Sequence, residues 1–223
     1  VAGDHPIITE LPQPKGAVTA LALDALLENL YVGTADGQVV HVALSETESP
    51  EMRAAYTVAA SSTAVTTLGF LSGDRSLVVM SEDGAVSTWG LVRRADAPSG
   101  WTLTRTHTLR AHNAPVTAFA PSQRVKGFVT GDRKGNLFLH HATSSQTLLR
   151  LATSEFPIRA VAFAPKGDGL IALDGAGQLS LYQVQNAYPE VTLETLFGKV
   201  WYEGYDQPAH VWQSSSGSDD VEP

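Results

Sequence analysis

One stretch of this 223-residue chain recurs four times, and its internal spacing constrains the fold more than any other feature. The clearest copy is APVTAFAPSQRVKGFVTGDRKGNLFLHHAT at 114–143, and the others begin at residues 17, 64 and 157. In every copy an apolar anchor precedes a turn glycine by 19 residues: Val18 and Gly37, Val65 and Gly84, Val116 and Gly135, Ile158 and Gly177. Successive copies are offset by 47, 51 and 42 residues. A constant interior with variable connections is typical of a structural repeat.

Each copy contains three apolar strand-like runs, with a glycine turn between the second and third. In the first copy the runs are 18–23, 30–34 and 39–44. A fourth, more polar run follows each copy, at 53–58, 102–109, 147–151 and 191–196. Four strands per unit of roughly 40 to 50 residues is the period of a β-propeller blade. Helical repeats would need amphipathic helices, which the sequence lacks, and leucine-rich repeats are shorter.

The fold predicted is therefore all-β: a β-propeller with four recognisable four-stranded blades. The blades are expected near 17–59, 64–109, 115–151 and 157–196. Turn chemistry accounts for the acidic residues near the glycines, since Asp bonds its own following backbone. These residues are Asp36, Asp83, Asp132 and Asp174. A ring of converging carboxylates for calcium or acid–base chemistry is the less favoured alternative.

The repeats resemble the WD-repeat family. The resemblance depends on Ala111-His112, the Asp-Gly turns at Asp36 and Asp83, and Trp89 five residues after Gly84. At the offset of Trp89 the other copies have Val42, His140 and Tyr182. The resemblance implies that the next residue is an Asp tying the blade to the family's Gly-His dipeptide, but here it is Ala43, Gly90, His141 or Gln183. We therefore expect a divergent propeller in which this polar network is missing or degraded, while His112 keeps a structural role and His140 fills the blade.

Four blades are fewer than the six to eight that are typical of the WD family. Either the chain is part of a larger propeller, or it closes on itself or with a second copy. The segment Pro6–Leu11 could supply an outer strand. Because an open arc leaves unpaired edges, we expect dimerisation.

Composition excludes several functions. A net charge of −8 and a pI near 5.3 argue against a nucleic-acid partner. Absence of cysteine excludes disulfides and thiolate sites, and no apolar run is long enough to span a bilayer. The first residues lack a signal-peptide pattern and an initiator Met, which is what we expect of an excised domain or a mature fragment.

Catalytic and ligand-binding motifs are also missing. There is no Gly-x-Ser-x-Gly elbow, phosphate-binding glycine loop or His-Glu-x-x-His motif. His140 and His141 are adjacent, so on a strand they point to opposite faces and cannot chelate one ion together. The sequence predicts no enzyme activity, no cofactor and no metal.

Residues 198–223 depart from the repeat. They combine four aromatic residues with a polar acidic end, and the aromatic residues are Trp201, Tyr202, Tyr205 and Trp212. These side chains could pack on the last blade, lie near a membrane surface, or bind a partner. The sequence GKVWYEGYDQPAHVWQSSSGSDDVEP is similar to the junction before the transmembrane core in phosphate ABC-transporter permease subunits with a large periplasmic insert.

This second resemblance implies a noncatalytic protein-interaction or regulatory platform at the periplasmic face of the bacterial inner membrane. It divides the chain into blades at 1–197 and a linker at 198–223 leading to a membrane domain. The implied partners are the rest of the permease and transporter, the phosphate-binding protein, and another copy of the chain. The alternatives are a free-standing WD-like scaffold and a propeller hydrolase or lyase.

Overall fold

The prediction of an all-β, four-bladed protein is confirmed. The computed structural model describes residues 14–44, 52–71, 73–97, 100–109, 112–123, 127–164, 169–185 and 210–215. These ranges form four antiparallel sheets of four strands each and contain no helix. The strands within each sheet neighbour one another in chain order, so that every sheet is one blade.

The sixteen described strands are grouped by blade. Blade 1 contains β1 (Val18–Leu23), β2 (Asn29–Thr34), β3 (Gln38–Leu44) and β4 (Met52–Ala59). Blade 2 contains β5 (Val65–Phe70), β6 (Leu77–Ser81), β7 (Val86–Arg93) and β8 (Trp101–Leu109). Blade 3 contains β9 (Val116–Pro121), β10 (Gly127–Asp132), β11 (Asn136–His141) and β12 (Thr147–Ala152). Blade 4 contains β13 (Ile158–Phe163), β14 (Gly169–Asp174), β15 (Leu179–Gln185) and β16 (His210–Ser215).

The last strand of blade 4 corrects the expected division of the chain. His210–Ser215 pairs with β15 along six residues, from Gln185 opposite His210 to Ser180 opposite Ser215. The sequence assigned this position to 191–196, which lies outside the described residues, and treated 198–223 as a linker. The boundary at 197 was wrong because period-2 strand patterning is weak in HVWQSS, a run whose polar end resembles a linker.

Neighbouring blades pack face to face through their first strands, β1, β5, β9 and β13. Each blade has two faces. The front is the face that carries the residue two positions after the turn glycine, and the back is the face that carries the apolar anchor. At each interface the front of one blade packs on the back of the next blade. The pairs that pack together are Val39 and Val65, Val86 and Val116, and Leu137 and Ile158. Burying a side chain of this size contributes about 2 kcal/mol. The anchor and the glycine recur because each blade repeats this contact.

Hydrogen bonds between first strands fix the spacing of two of these interfaces. Thr19 Oγ1 donates to the Val65 carbonyl at 2.5 Å, and Thr117 Oγ1 donates to the Ile158 carbonyl at 2.5 Å. Gly131 permits the close approach at the second of these, because a Cβ there would lie 2.7 Å from the Ile158 Cβ. The described strands of blade 4 and blade 1 have no comparable packing against each other.

Candidate functional site

A buried polar network ties blade 3 to the segment that enters it. His112 Nδ1 lies 3.0 Å from Asp132 Oδ2, and its Nε2 lies 2.7 Å from Thr130 Oγ1. Thr130 Oγ1 lies 2.9 Å from His140 Nε2, and His140 Nδ1 lies 3.0 Å from Thr147 Oγ1. A carboxylate only accepts, so His112 Nδ1–H donates to Asp132 and each further donor in the chain is then fixed. Every ring nitrogen of both histidines is therefore used inside the blade.

Burial keeps both histidines of this network neutral. It lowers the pKa of His140 to about 3, with the neighbouring His112 as a smaller cause. It also lowers the pKa of His112, although the hydrogen bond to Asp132 opposes this. The His112 ring stacks on Phe138 with centroids 3.8 Å apart. These two groups stabilise the blade, and neither nitrogen pair is free to hold a metal or a substrate.

The expectation of a missing polar network was wrong for blade 3. The carboxylate that bonds His112 comes from Asp132, in the turn before the third strand, and not from the position of His141. His141 instead lies near Ser144 at the end of the strand. The sequence contained this carboxylate, but its role was assigned to turn geometry alone. Asp132 has both roles, because its Oδ1 also accepts the backbone N–H groups of Lys134 and Asn136 in the turn.

The turn carboxylates occupy two different positions. Asp132 and Asp174 lie three residues before their glycines, whereas Asp36 and Asp83 lie one residue before. In blade 2 the earlier position is Ser81, whose hydroxyl donates to Asp83 at 2.7 Å. In blade 1 it is Thr34, whose hydroxyl donates to Asp36. In blade 4, Ser154 donates to Asp174 at 2.6 Å and lowers its pKa. Each carboxylate forms hydrogen bonds within its own turn.

Three of the four turn glycines hold the segment that enters the next blade. The Gly37 carbonyl accepts the N–H groups of Ala60 and Ser61, Gly84 accepts His112, and Gly135 accepts Thr153 and Ser154. All four glycines have φ between 80 and 85°, which disfavours other residues. A Cβ at Gly37, Gly84 or Gly135 would collide with backbone carbonyls of that entering segment, whereas at Gly177 nothing lies within 4 Å. Among the described residues, the fourth turn has no neighbouring segment to hold.

A cleft between blades 1 and 2 is the candidate binding site. Its volume is about 800 Å³, and it opens where the β1–β2 and β5–β6 connections lie. Four aromatic side chains line it: Tyr31, Phe70, Trp89 and Trp101. Trp101 is 46% exposed, which is unusual for so large an apolar side chain. From its place in the repeat, Trp89 was expected to have only a structural role.

Trp89 is held by contacts within blade 2 and also lines the cleft. Its Nε1 donates to Ser87 Oγ at 2.8 Å, and the Arg105 guanidinium lies 4.8 Å from the ring centroid. Arg105 also donates to the Ala60 carbonyl, so blade 2 is held to the segment that enters it. These contacts fix the indole while part of it lines the cleft. A rigid aromatic wall costs little entropy when it binds a ligand.

Charged groups also line the cleft: the carboxylates of Asp24, Glu28 and Asp74 and the guanidinium of Arg75. The Asp74 carboxylate accepts the backbone N–H of Ala25 at 2.9 Å, which links the two connections. Asp24 accepts the backbone N–H groups of Glu28 and Asn29. The cleft is therefore aromatic with an excess of negative charge, a combination that suits a cationic side chain.

His41 is buried in the wall of the cleft and has one unused nitrogen. Asn29 Nδ2 donates to Asp24 at 2.7 Å, so Asn29 Oδ1 accepts from His41 Nε2 at 2.8 Å. This arrangement puts the proton on Nε2 and leaves the lone pair of Nδ1, which has no hydrogen-bond partner among the residues that the structure describes. Burial lowers the pKa of His41 to about 4, against the opposing charge of Asp24. The ring stacks on Tyr31 at 4.8 Å. Nδ1 is therefore a neutral hydrogen-bond acceptor.

The sequence left three roles open for the aromatic residues of the tail: packing on the last blade, a position near a membrane surface, or partner binding. Trp201, Tyr202 and Tyr205 lie outside the described residues. The backbone of Trp212 pairs with Gln183 in blade 4. The segment Pro6–Leu11 is likewise outside the described ranges.

In the described part of the chain, no group of three or more His, Cys, Asp or Glu side chains could hold a metal ion. None of the described segments is a helix that could cross a membrane.

Comparison with known proteins found similar folds among solved structures. No protein-family model and no curated protein matches the chain. Among solved structures, the computationally designed Ika4 protein matches at 19% identity and a TM-score of 0.62, over 82% of this chain and 100% of that chain. The designed Ika8 protein matches at 20% and 0.61, over 78% of this chain and 48% of that one. The Cps50 (Swd1) β-propeller domain of Myceliophteria thermophila matches at 19% and 0.61, over 75% and 51%.

The chain therefore covers all of one neighbour and about half the length of the other two. At this identity the likeness concerns the fold alone. The protein is an all-β chain with a propeller-like fold of four blades.

Proposed function

We propose that this chain is a noncatalytic β-propeller domain of a phosphate ABC-transporter permease, facing the periplasm, which acts as a protein-interaction or regulatory platform. The transporter setting is supported by the similarity of residues 198–223 to the junction before the permease core. The interaction role is supported by the aromatic, acidic cleft between blades 1 and 2. The partners proposed are the phosphate-binding protein and the rest of the transporter.

The lining of the cleft is the observation that favours binding over catalysis. Among the described residues that line it there is no Ser, Thr, Cys or Lys that could act as a nucleophile. His41, with a pKa near 4, is a weak base at neutral pH. Trp is enriched among the residues that dominate binding at protein interfaces, and Trp101 lines this cleft with 46% of its surface exposed. The cleft would take a basic segment of a partner, with Lys or Arg against Trp101 and Glu28.

Calorimetric titration of the chain with purified phosphate-binding protein of the same bacterium tests this role. Trp101→Ala should weaken binding at least about tenfold, because it removes an aromatic anchor. Glu28→Gln should weaken it less and reduce its dependence on salt. Phe156→Ala is the matched control, since Phe156 is as exposed as Trp101 but lies outside the cleft. Equal binding by the Trp101 and Phe156 variants would contradict the role of the cleft.

The transporter setting has a separate test. The reading frame that continues after Pro223 should encode the membrane-spanning permease core. A gene without such helices would instead favour a free-standing scaffold with the same fold and the same cleft.

A further inference from the structure

The two ends of the blade series expose apolar faces where the inner blades bury them. The residue two positions after the turn glycine is buried in blades 1 to 3, at Val39, Val86 and Leu137, with at most 1% exposed. Its equivalent in blade 4, Leu179, is still apolar but 54% exposed. Two positions further on, Leu181 is also exposed, whereas Leu139 of blade 3 is buried. The front of blade 4 keeps the composition of an interface without a neighbour.

The back of blade 1 shows the complementary feature. The anchors Val65, Val116 and Ile158 are buried, whereas Val18 at the same position is 52% exposed. Leu21 and Leu23, on the same face of β1, are exposed as well. Monomeric proteins rarely leave such contiguous apolar faces in water. Because every inner interface joins a front to a back, the free front fits the free back.

We infer that a second copy of this chain covers both faces, so that two chains form one closed ring of eight blades. The front of blade 4 in each copy would pack on the back of blade 1 in the other. The turn at Gly177, which has open space around it, would receive the segment Pro14–Gly16 of the second copy, as Gly84 receives His112–Ala114. The inference is independent of the proposed transporter role.

The size of related propellers supports this occupant. The chain covers about half of the Ika8 and Cps50 chains and all of the Ika4 chain, so that two copies have the length of the larger proteins. Eight blades lie within the range of known propellers. A front-to-back contact is heterologous, and such contacts either close a ring or continue as a filament. Two identical interfaces in a closed ring also reinforce each other.

Sedimentation equilibrium of the 223-residue chain at tens of micromolar tests the inference. We expect about 47 kDa, twice the 23.7 kDa of one chain. Leu179→Glu and Leu21→Glu should each give the monomer mass, because each places a charge in both interfaces. Val92→Glu is the control: Val92 is 45% exposed but belongs to blade 2, so this variant should remain dimeric. Circular dichroism checks that each variant is folded, which is expected because all three positions are exposed.

Mixing the two interface variants separates this geometry from other dimers. Each variant retains one intact face, so an equimolar mixture of Leu179→Glu and Leu21→Glu should regain the dimer mass with weaker affinity than the unaltered chain. A monomeric unaltered chain would overturn the inference. So would a dimer that survives either substitution, a mixture that stays monomeric, or masses that rise beyond two chains.

Discussion

Blades 3 and 4 have the same strand order and the same spacing, yet they differ in what their front faces contact. Leu137 of blade 3 is buried against blade 4, whereas Leu179, at the same position of blade 4, is mostly exposed. Gly135 holds the segment entering the next blade, whereas the surroundings of Gly177 are open. The repeat therefore gives every blade the apolar residues of an interface, and three of these interfaces are formed within the chain.

The comparison also separates two ways of tying a blade. Blade 3 uses a chain of side chains that runs from Thr147 through two histidines to Asp132. Blade 4 uses one hydroxyl, Ser154, on Asp174. His112 and Ser154 both lie 23 residues before the turn glycine, so we expect one position to contribute very different amounts of stability in the two blades. This difference can be measured by substituting equivalent residues in the two blades.

The polar tie should give the largest difference. His112→Ala removes a ring that stacks on Phe138 and takes one buried hydrogen-bond partner from each of Asp132 and Thr130, so we expect the free energy of unfolding to fall by about 4 kcal/mol. Ser154→Ala, which removes one hydroxyl, should cost clearly less. Urea unfolding of both variants provides the comparison. Equal losses would mean that the network of blade 3 does not stabilise it more than the single hydrogen bond of blade 4.

Large-to-small substitution at the shared front position should give the next largest effect. Leu137→Ala leaves a cavity between blades 3 and 4 and should cost about 3 kcal/mol. Leu179→Ala should change the stability of the monomer by less than about 0.5 kcal/mol, because the side chain is exposed. Both are measured by denaturation at a protein concentration low enough to keep the chain monomeric. A large loss for Leu179→Ala under these conditions would indicate that another part of the chain covers the front of blade 4.

The turn glycines should differ by a smaller amount. Gly177→Ala has to adopt a positive φ and should cost about 1 to 2 kcal/mol. Gly135→Ala has the same backbone strain and an additional collision with the Ser154 carbonyl, which should add about 2 kcal/mol. Thermal unfolding of the two variants isolates the packing contribution. If they lose the same stability, the turn of blade 3 does not depend on contact with the segment it holds.

Per pH unit, the pH dependence of stability should give the smallest effect. His140 and His41 have pKa values of about 3 and 4, below the ordinary 6.5. Between pH 6.5 and 4 the unfolded chain binds protons on these histidines and the folded chain does not, so stability falls as the pH falls. Each contributes a slope of about 1.4 kcal/mol per pH unit. His140→Gln should lower the pH slope of stability, measured by urea unfolding, by the contribution of one histidine. An unchanged slope would contradict the burial of His140 as a neutral group.

The sequence alone predicted the repeat and most of the strands, because packing fixes both the period-2 pattern and the distance of 19 residues. Val65, Val116 and Ile158 were recognised as anchors for this reason, and each is buried. Burial of the fourth anchor did not follow, since Val18 has no blade behind it. Periodicity identifies an interface-forming face, but whether that face is covered depends on the neighbours.

Features that join distant segments could not be predicted from spacing. The cleft depends on His41, Asn29 and Asp24 of blade 1 facing Trp101 of blade 2, and no motif links these residues. The role of Asp132 was missed because one carboxylate bonds both its own turn and His112, which lies 20 residues earlier. An alignment of the copies on the turn glycine could have found this pair, because it places His112 opposite Ser61 and Ser154.

Disulfide trapping tests most directly the claim that every blade front is made for a blade back. A Cβ at Gly33 or Gly131 would lie 3.1 or 2.7 Å from the Cβ of Val65 or Ile158, respectively, and the equivalent pair at the open ends is Leu173 and Val18. The chain has no cysteine, so a Val18→Cys, Leu173→Cys variant has no competing thiol. Mild oxidation should give a covalent dimer with no free thiol and nothing larger, because the equivalent pairs lie closer than the roughly 3.5 to 4.5 Å between the Cβ atoms of a disulfide, and a bridge needs the two faces to separate by only about 1 Å. An oxidised monomer, a ladder of higher species, or unreacted thiols would contradict the account.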